Sequence, residues 1–316
     1  MDSKETKGTV PVPSVGADGE QPISQTPTAS ITEETTENNP PEKNYAELLR
    51  KMQRMNDPAY LPTISMNELY ENVYQSRPPV IDGLLYPGTY LFAGAPKVGK
   101  SFLMAQLAYH VSMGLPLWDY PVHKGTVLYL ALEDDHRRLQ ERLYRMFGME
   151  GTNDLLFSIC AKQVGSGLEE QLKRFVQEHP DTKLIIIDTL QKIREAGGDK
   201  YSYANDYEVV GKLKRLADAC GVCLLLVHHT RKQQADDKFD MISGTNGLSG
   251  AADGAFLLQK EKRTDDTATL DVVGRDQQDQ RLYLTKDKEH LTWTLERMET
   301  ELWVEPPDPV LEAVAA

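Results

Sequence analysis

The sequence predicts an α/β protein: a mainly parallel central sheet flanked by helices, with a C-terminal β-hairpin and a disordered N-terminal tail. Three observations carry this. Gly94-Ala95-Pro96-Lys97-Val98-Gly99-Lys100-Ser101 spells G-x-x-x-x-G-K-S between a strand-like and a helix-like run. Apolar runs of strand length recur at 126–131, 184–187 and 222–227. Helical patterns separate them, and continuous apolar strands alternating with helices signal a parallel sheet covered on both faces.

The elements follow in order. Residues 1–42 are rich in Pro, Thr, Ser, Glu and Gly and hold almost no large apolar side chain, so they cannot bury enough surface to order. Residues 43–79 are expected to form a helical linker segment. One pattern there uses Tyr45, Leu48, Leu49 and Met52, and a second runs from Ser65 to Tyr74, where Ser65 and Glu68 have capping-box spacing. An α/β domain is expected over 80–296 and a C-terminal tail over 297–316. Within the domain, Thr89 to Ala93 reads as a strand and Ser101 to Met113 as an amphipathic helix. The strand Thr126 to Ala131 precedes a helix at 136–147, and Leu156 to Cys160 precedes a helix from Leu168 to Glu178. Lys183 to Asp188 is a strand, residues 206–219 a helix, and Val222 to Val227 a further strand. Ala268 to Val273 is strand-like and runs into Gly274-Arg275-Asp276.

Composition narrows the class. With 316 residues, 40% of them hydrophobic, the chain can build a sizeable core. No stretch approaches the roughly 20 apolar residues of a membrane span. The N-terminus lacks an apolar signal core, so a cytoplasmic protein with no membrane partner is expected. The net charge of −13 argues against electrostatic coating of duplex DNA, although a local basic channel is compatible with it. Part of that acidity sits in the first forty residues, which hold seven acids and two lysines. Three cysteines do not make a disulfide framework, and Cys220-Gly-Val-Cys223 reads as a helix end followed by a strand rather than a redox or zinc site.

The octapeptide fixes the first site. Gly94 and Gly99 let the backbone curl so that successive N–H groups meet phosphate oxygens. Ala95, Pro96, Lys97 and Val98 complete the loop. Lys100 brings a point charge to the β- and γ-phosphates, Ser101 a hydroxyl to Mg²⁺, and Phe102 follows inside the helix whose N-terminus faces the anion. Asp188 ends a buried strand and fits the carboxylate that holds the Mg²⁺ shell beside Ser101. Glu133 stands beyond another strand end and is placed to deprotonate a water in line with the γ-phosphate. Its neighbours Asp134 and Asp135 also suit an acidic helix start. His228 and His229 close the run Cys223 to Val227, and one of them is expected to hydrogen-bond the γ-phosphate.

The order of these features resembles that of RecA-like P-loop ATPases. The stretch from Gly83 to Trp293 is similar to the hexameric replicative-helicase branch, and most of all to the RepA-like plasmid replication helicases and their relatives in mobile elements. The likeness is carried by Tyr129-Leu130-Ala131-Leu132-Glu133-Asp134, Ile187-Asp188-Thr189-Leu190-Gln191, His228-His229-Thr230-Arg231-Lys232 and Ser243-Gly244-Thr245-Asn246-Gly247. It implies a homo-oligomeric ring, a hexamer, with ATP and Mg²⁺ between subunits and single-stranded DNA in the pore. Two loops would then face the pore, with Lys192, Arg194 and Lys200 on one and Arg231, Lys232 and Lys238 on the other. The resemblance also implies a neighbour-supplied arginine, for which Arg275 is the first choice and Arg263 the second. In the plasmid helicases that residue lies near the segment Gly250 to Ala255, where this chain has no arginine. The function expected is a DNA-dependent ATPase and helicase of a plasmid, phage or mobile element. The alternatives are a recombination or repair ATPase and a nucleotide-switched DNA-binding scaffold.

Overall fold

A computed structural model describes residues 45, 49–50, 52–74, 77–194, 203–230, 239, 247–262 and 264–300. The chain divides into two units, 1–73 and 74–316. In the first unit, helix α1 spans Met66–Glu71. The Ser65 hydroxyl accepts from the Glu68 N–H at 3.2 Å, and the Glu68 carboxylate accepts from the Ser65 N–H at 2.8 Å. This is the reciprocal capping box that the spacing predicts.

The second unit is built on one nine-stranded sheet. Its strands are β1 (Gly88–Gly94), β2 (Thr126–Ala131), β3 (Leu155–Ser158), β4 (Thr182–Asp188), β5 (Cys223–His229), β6 (Gly254–Gln259), β7 (Thr267–Gly274), β8 (Gln280–Lys286) and β9 (Trp293–Thr300). They lie in the order β3-β2-β4-β5-β1-β6-β7-β8-β9. The six from β3 to β6 run parallel. β7, β8 and β9 continue the sheet as an antiparallel meander. The helices are α2 (Lys100–Met113), α3 (His136–Phe147), α4 (Leu168–Glu178), α5 (Leu190–Ile193), α6 (Tyr203–Cys220) and α7 (Gly247–Ala251). The fold is the RecA-like arrangement that the sequence resemblance implies.

Strand alternation sorts the core into two layers. Val127, Tyr129, Leu184, Ile186, Cys223, Leu225 and Val227 pack on the face of α2, together with Leu270, Leu282 and Trp293 from the meander. Leu128, Leu130, Ile185, Ile187, Leu224 and Leu226 pack on the other face with α4, α6 and α7. Each such side chain contributes roughly 1.5–3 kcal/mol of transfer free energy on burial. Because successive residues of a strand take opposite faces, a strand packed on both sides must be apolar throughout.

Several elements differ from the sequence expectation. Helix α2 is not amphipathic: ten of its fourteen residues are buried. The sheet covers one side, and the meander with the segment around Leu117 covers another. The last parallel pairing, β1 with β6, uses the short apolar run Gly254–Gln259, a strand not expected from the sequence. β5 includes both histidines, since their backbones still pair with Ala93 and Gly94 of β1. β9 extends through Thr300.

Candidate nucleotide site

The site forms where the central parallel strands end. Register places Gly94 of β1 beside His229 of β5, and Ala131 of β2 beside Asp188 of β4. Carboxyl ends of such strands are where open α/β sheets bind ligands.

The phosphate loop joins β1 to α2. Gly99 takes φ 111° as the residue before the helix, a region that favours glycine. A Cβ there would also stand 2.8 Å from Cζ2 of Trp293. A Cβ on Gly94 would meet the Leu258 carbonyl oxygen at 2.6 Å. Space therefore requires both glycines, and backbone conformation also requires Gly99. Lys97 itself adopts φ 67°.

Lys100 is buried, and its Nζ donates to the carbonyls of Gly94 at 2.7 Å and Ala95 at 3.0 Å. It also lies 3.0 Å from Nδ1 of His229, so a neutral His229 accepts from the ammonium there. Burial pulls the Lys100 pKa down to about 8, against the opposing attraction of Asp188 and Glu133. Burial, and then the Lys100 charge, lower that of His229. His228 precedes His229 on the strand and by alternation belongs to the other face of the sheet, so β5 delivers one histidine to this site.

Asp188 is buried at the end of β4. Its Oδ2 accepts from Ser101 Oγ at 2.7 Å and from the Tyr129 hydroxyl at 2.9 Å. Burial raises the Asp188 pKa while these two hydrogen bonds lower it, and the net direction is upward. An adjacent hydroxyl and carboxylate are hard oxygen donors of the kind Mg²⁺ takes when substrate phosphates and water supply the rest of its shell. Ser101 and Asp188 therefore fit the ion.

The three acids after β2 have three different surroundings. Asp134 is held by Arg142 at 2.7 and 3.2 Å and lies 3.7 Å from Arg138. Asp135 caps α3, accepting from the Arg138 N–H at 2.9 Å. Among the described residues, Glu133 receives only a long contact from Thr189 Oγ1 at 3.4 Å, and it lines the cleft. That cleft, of about 500 Å³, is bounded by Pro96, Lys97, Lys100, Ser101, Glu133 and Asp188, with Lys286 from β8 among its other residues. Tyr129, Lys286 and Trp293 were not singled out from the sequence. Tyr129 carries one visible sign, a polar tip within an apolar run.

Arg275 lies elsewhere. It follows β7, whose Gly274 pairs with Gly254 at the start of β6, whereas the phosphate loop is at the other end, where Gly94 pairs with Leu258. Its N–H donates to the Asp253 carbonyl at 2.9 Å, and its exposed guanidinium stands 3.8 Å from the Asp253 carboxylate. Of the expected loop cations, Lys192 is exposed on α5. Arg194 is instead buried in an ion pair with Asp206 at 3.0 Å. Lys200, Arg231, Lys232, Lys238 and Arg263 lie outside the described residues. Cys223 is fully buried in the sheet, and burial pushes its thiol pKa well up, which suits packing rather than redox chemistry.

The loop, the strand-end carboxylates and the sheet order define a P-loop protein of RecA-like fold. Residues 55–235 match the family described as AAA domain, and the chain belongs to it. Among solved structures it is similar to the ATPase domain of G40P, with 14% identity, a TM-score of 0.57, and coverage of 82% of this chain and 99% of that one. It is also similar to a DnaB-like replicative helicase, described with its interactions with primase, at 16% identity and a TM-score of 0.56, covering 79% of this chain and 71% of that one. A third likeness is to a KaiC-like protein of the hyperthermophilic archaeon Pyrococcus horikoshii OT3, at 16% identity and a TM-score of 0.50, covering 71% and 98%. No curated protein sequence matches the chain. Among the described residues, no helix is long and apolar enough to cross a membrane.

Proposed function

We propose that this protein is a DNA-dependent ATPase that forms a ring and unwinds DNA during replication of a plasmid, phage or other mobile element. The observation that carries the ATPase reading is the convergence of Lys100, Ser101, Glu133, Asp188 and His229 on one cleft at the strand ends. The residue types match the parts of phosphoryl transfer. Backbone N–H groups of the loop receive the phosphates, Pro96 excepted because it has none, and Lys100 swings from the loop carbonyls to their oxygens. Ser101 and Asp188 would hold Mg²⁺, which would neutralise charge on the phosphates. Glu133 takes the proton of a water as its oxygen bonds to the γ-phosphorus, and the bond to the β,γ-bridging oxygen breaks to release ADP. His229 exchanges its contact with Lys100 for one with the γ-phosphate and relays hydrolysis along β5. Arg275 acts on the pocket of a neighbouring subunit, which its separation from its own pocket favours.

The DNA-unwinding part rests on the fold likeness to the ATPase domain of G40P and to a DnaB-like replicative helicase. The test is ATP hydrolysis with and without single-stranded DNA, alongside native mass and strand displacement on a tailed duplex. Stimulated turnover by a ring that displaces strands is the expected result. Stimulated turnover without displacement would point to a recombination or repair ATPase. ATP binding and assembly without turnover would point to a nucleotide-switched scaffold.

A further inference from the structure

Lys286 ends β8, and the meander carries it to the phosphate loop. Its Nζ sits 3.9 Å from the centroid of the Phe102 ring, and the Arg142 guanidinium lies 5.3 Å from the same ring. Phe102 directly follows Ser101, so the cation stands at the first turn of α2 and lines the same cleft as Lys100. Lys260 and Lys286 both approach Trp293, at 5.4 and 5.9 Å.

The electrostatics at this spot are incomplete. Among the described residues no carboxylate forms an ion pair with Lys286. Burial, and then the cations Lys260 and Arg145, lower its pKa, with Asp266 opposing them. Asp266 is itself engaged by Lys288 at 2.6 Å. Asp134 is engaged by Arg142. In a chain of net charge −13, this is a local surplus of positive charge beside an anion-binding loop.

Its place along the cleft identifies the anion. Lys100, Glu133, Asp188 and His229 gather at the γ-phosphate end. Phe102 lies past Ser101 on the far side of the loop, where a polyphosphate laid along the loop amides presents its first phosphate. We propose that Lys286 is a nucleotide-binding residue of its own subunit that contacts the α-phosphate, with Phe102 holding its side chain in place. This rests on the reading of the cleft as an ATP site.

The experiment is calorimetric binding of ATP and of ADP to the wild type, Lys286→Met and Lys286→Arg, with melting temperatures of each. Lys286→Met is expected to weaken ATP and ADP by the same factor, about tenfold for one lost charge-assisted hydrogen bond. Lys286→Arg is expected to restore most of that loss, and the melting temperature of Lys286→Met should stay near the wild type. Loss for ATP with ADP unaffected would overturn the proposal, because Lys286 would then serve the γ-phosphate. Unchanged affinity for both would also overturn it and leave Lys286 a packing partner of Phe102. A loss that Arg does not rescue, with a lowered melting temperature, would assign Lys286 to the structure alone. Absence of nucleotide binding by the wild type would instead overturn the ATP-site reading itself.

Discussion

The ammonium of Lys100 lies 3.0 Å from Nδ1 of His229, which joins the phosphate loop to the end of β5 through one hydrogen bond. The other two Lys100 contacts go to loop carbonyls. An arriving phosphate must therefore draw Lys100 away from His229, and the histidine is freed in the same event. His229→Ala is expected to lower kcat about tenfold or more while changing ATP affinity little, since it acts after binding. His228→Ala, on the opposite face of β5, should cost less. Steady-state kinetics on both variants check this, and an equal loss from the two would detach the effect from strand side.

Lys100→Ala should abolish hydrolysis by removing the phosphate contact. Glu133→Gln should abolish turnover while ATP still binds, because Glu133 acts on water. Filter binding beside a phosphate-release assay separates the two. Near-normal turnover by Glu133→Gln would reduce Glu133 to a helix-start acid. Asp134 would be a weak replacement, since Arg142 already holds its carboxylate.

Tyr129 positions Asp188 rather than touching substrate. Tyr129→Phe keeps the ring and deletes the donor, at a stability cost of about 1 kcal/mol. The Mg²⁺ concentration for half-maximal activity should rise severalfold, with kcat at saturating Mg²⁺ nearly kept. A Mg²⁺ titration of initial rates reads this, and an unshifted midpoint would mean that Ser101 suffices to hold the carboxylate.

Gly99→Ala introduces strain at φ 111° and a contact of 2.8 Å with Trp293. The expected penalty is on the order of 1–3 kcal/mol, seen as a lower urea midpoint, together with loss of nucleotide binding. Unchanged stability would show that the loop relaxes around the added methyl.

Arg275→Ala should leave ATP binding and assembly intact and cut turnover on the order of 10³ if Arg275 acts in trans. Mixing Arg275→Ala with Lys100→Ala chains pairs intact pockets with intact arginines at some interfaces, and partial recovery of activity is the expected outcome. Full activity of Arg275→Ala alone would move the role to Arg263.

The parallel half of this fold was legible because burial on both faces forces continuous apolar runs, as in Leu184–Ile187 and Leu224–Val227. The phosphate loop and Asp188 were legible because their chemistry demands particular residues at fixed spacing. The separate surroundings of Glu133, Asp134 and Asp135 were not, since they depend on where Arg138 and Arg142 point once α3 is packed. Lys286 and Trp293 were hidden for a similar reason. Only the register of the meander brings residues so late in the chain onto the loop. Arg194 shows the converse, a loop cation in sequence that pairing with Asp206 takes out of solvent.

The floor beneath Gly99 is Trp293, whose backbone is clamped at both its N–H and its carbonyl by the Gln106 side chain, at 2.7 and 2.9 Å. A growing chain emerges N-terminus first. The loop and every parallel strand therefore leave the ribosome before the residue that supports them. Until β9 docks, α2 lacks its clamp and the phosphate loop its backing, so competence to take nucleotide waits on the synthesis of Trp293. A nascent chain arrested before Trp293 would carry the whole signature and not yet the site.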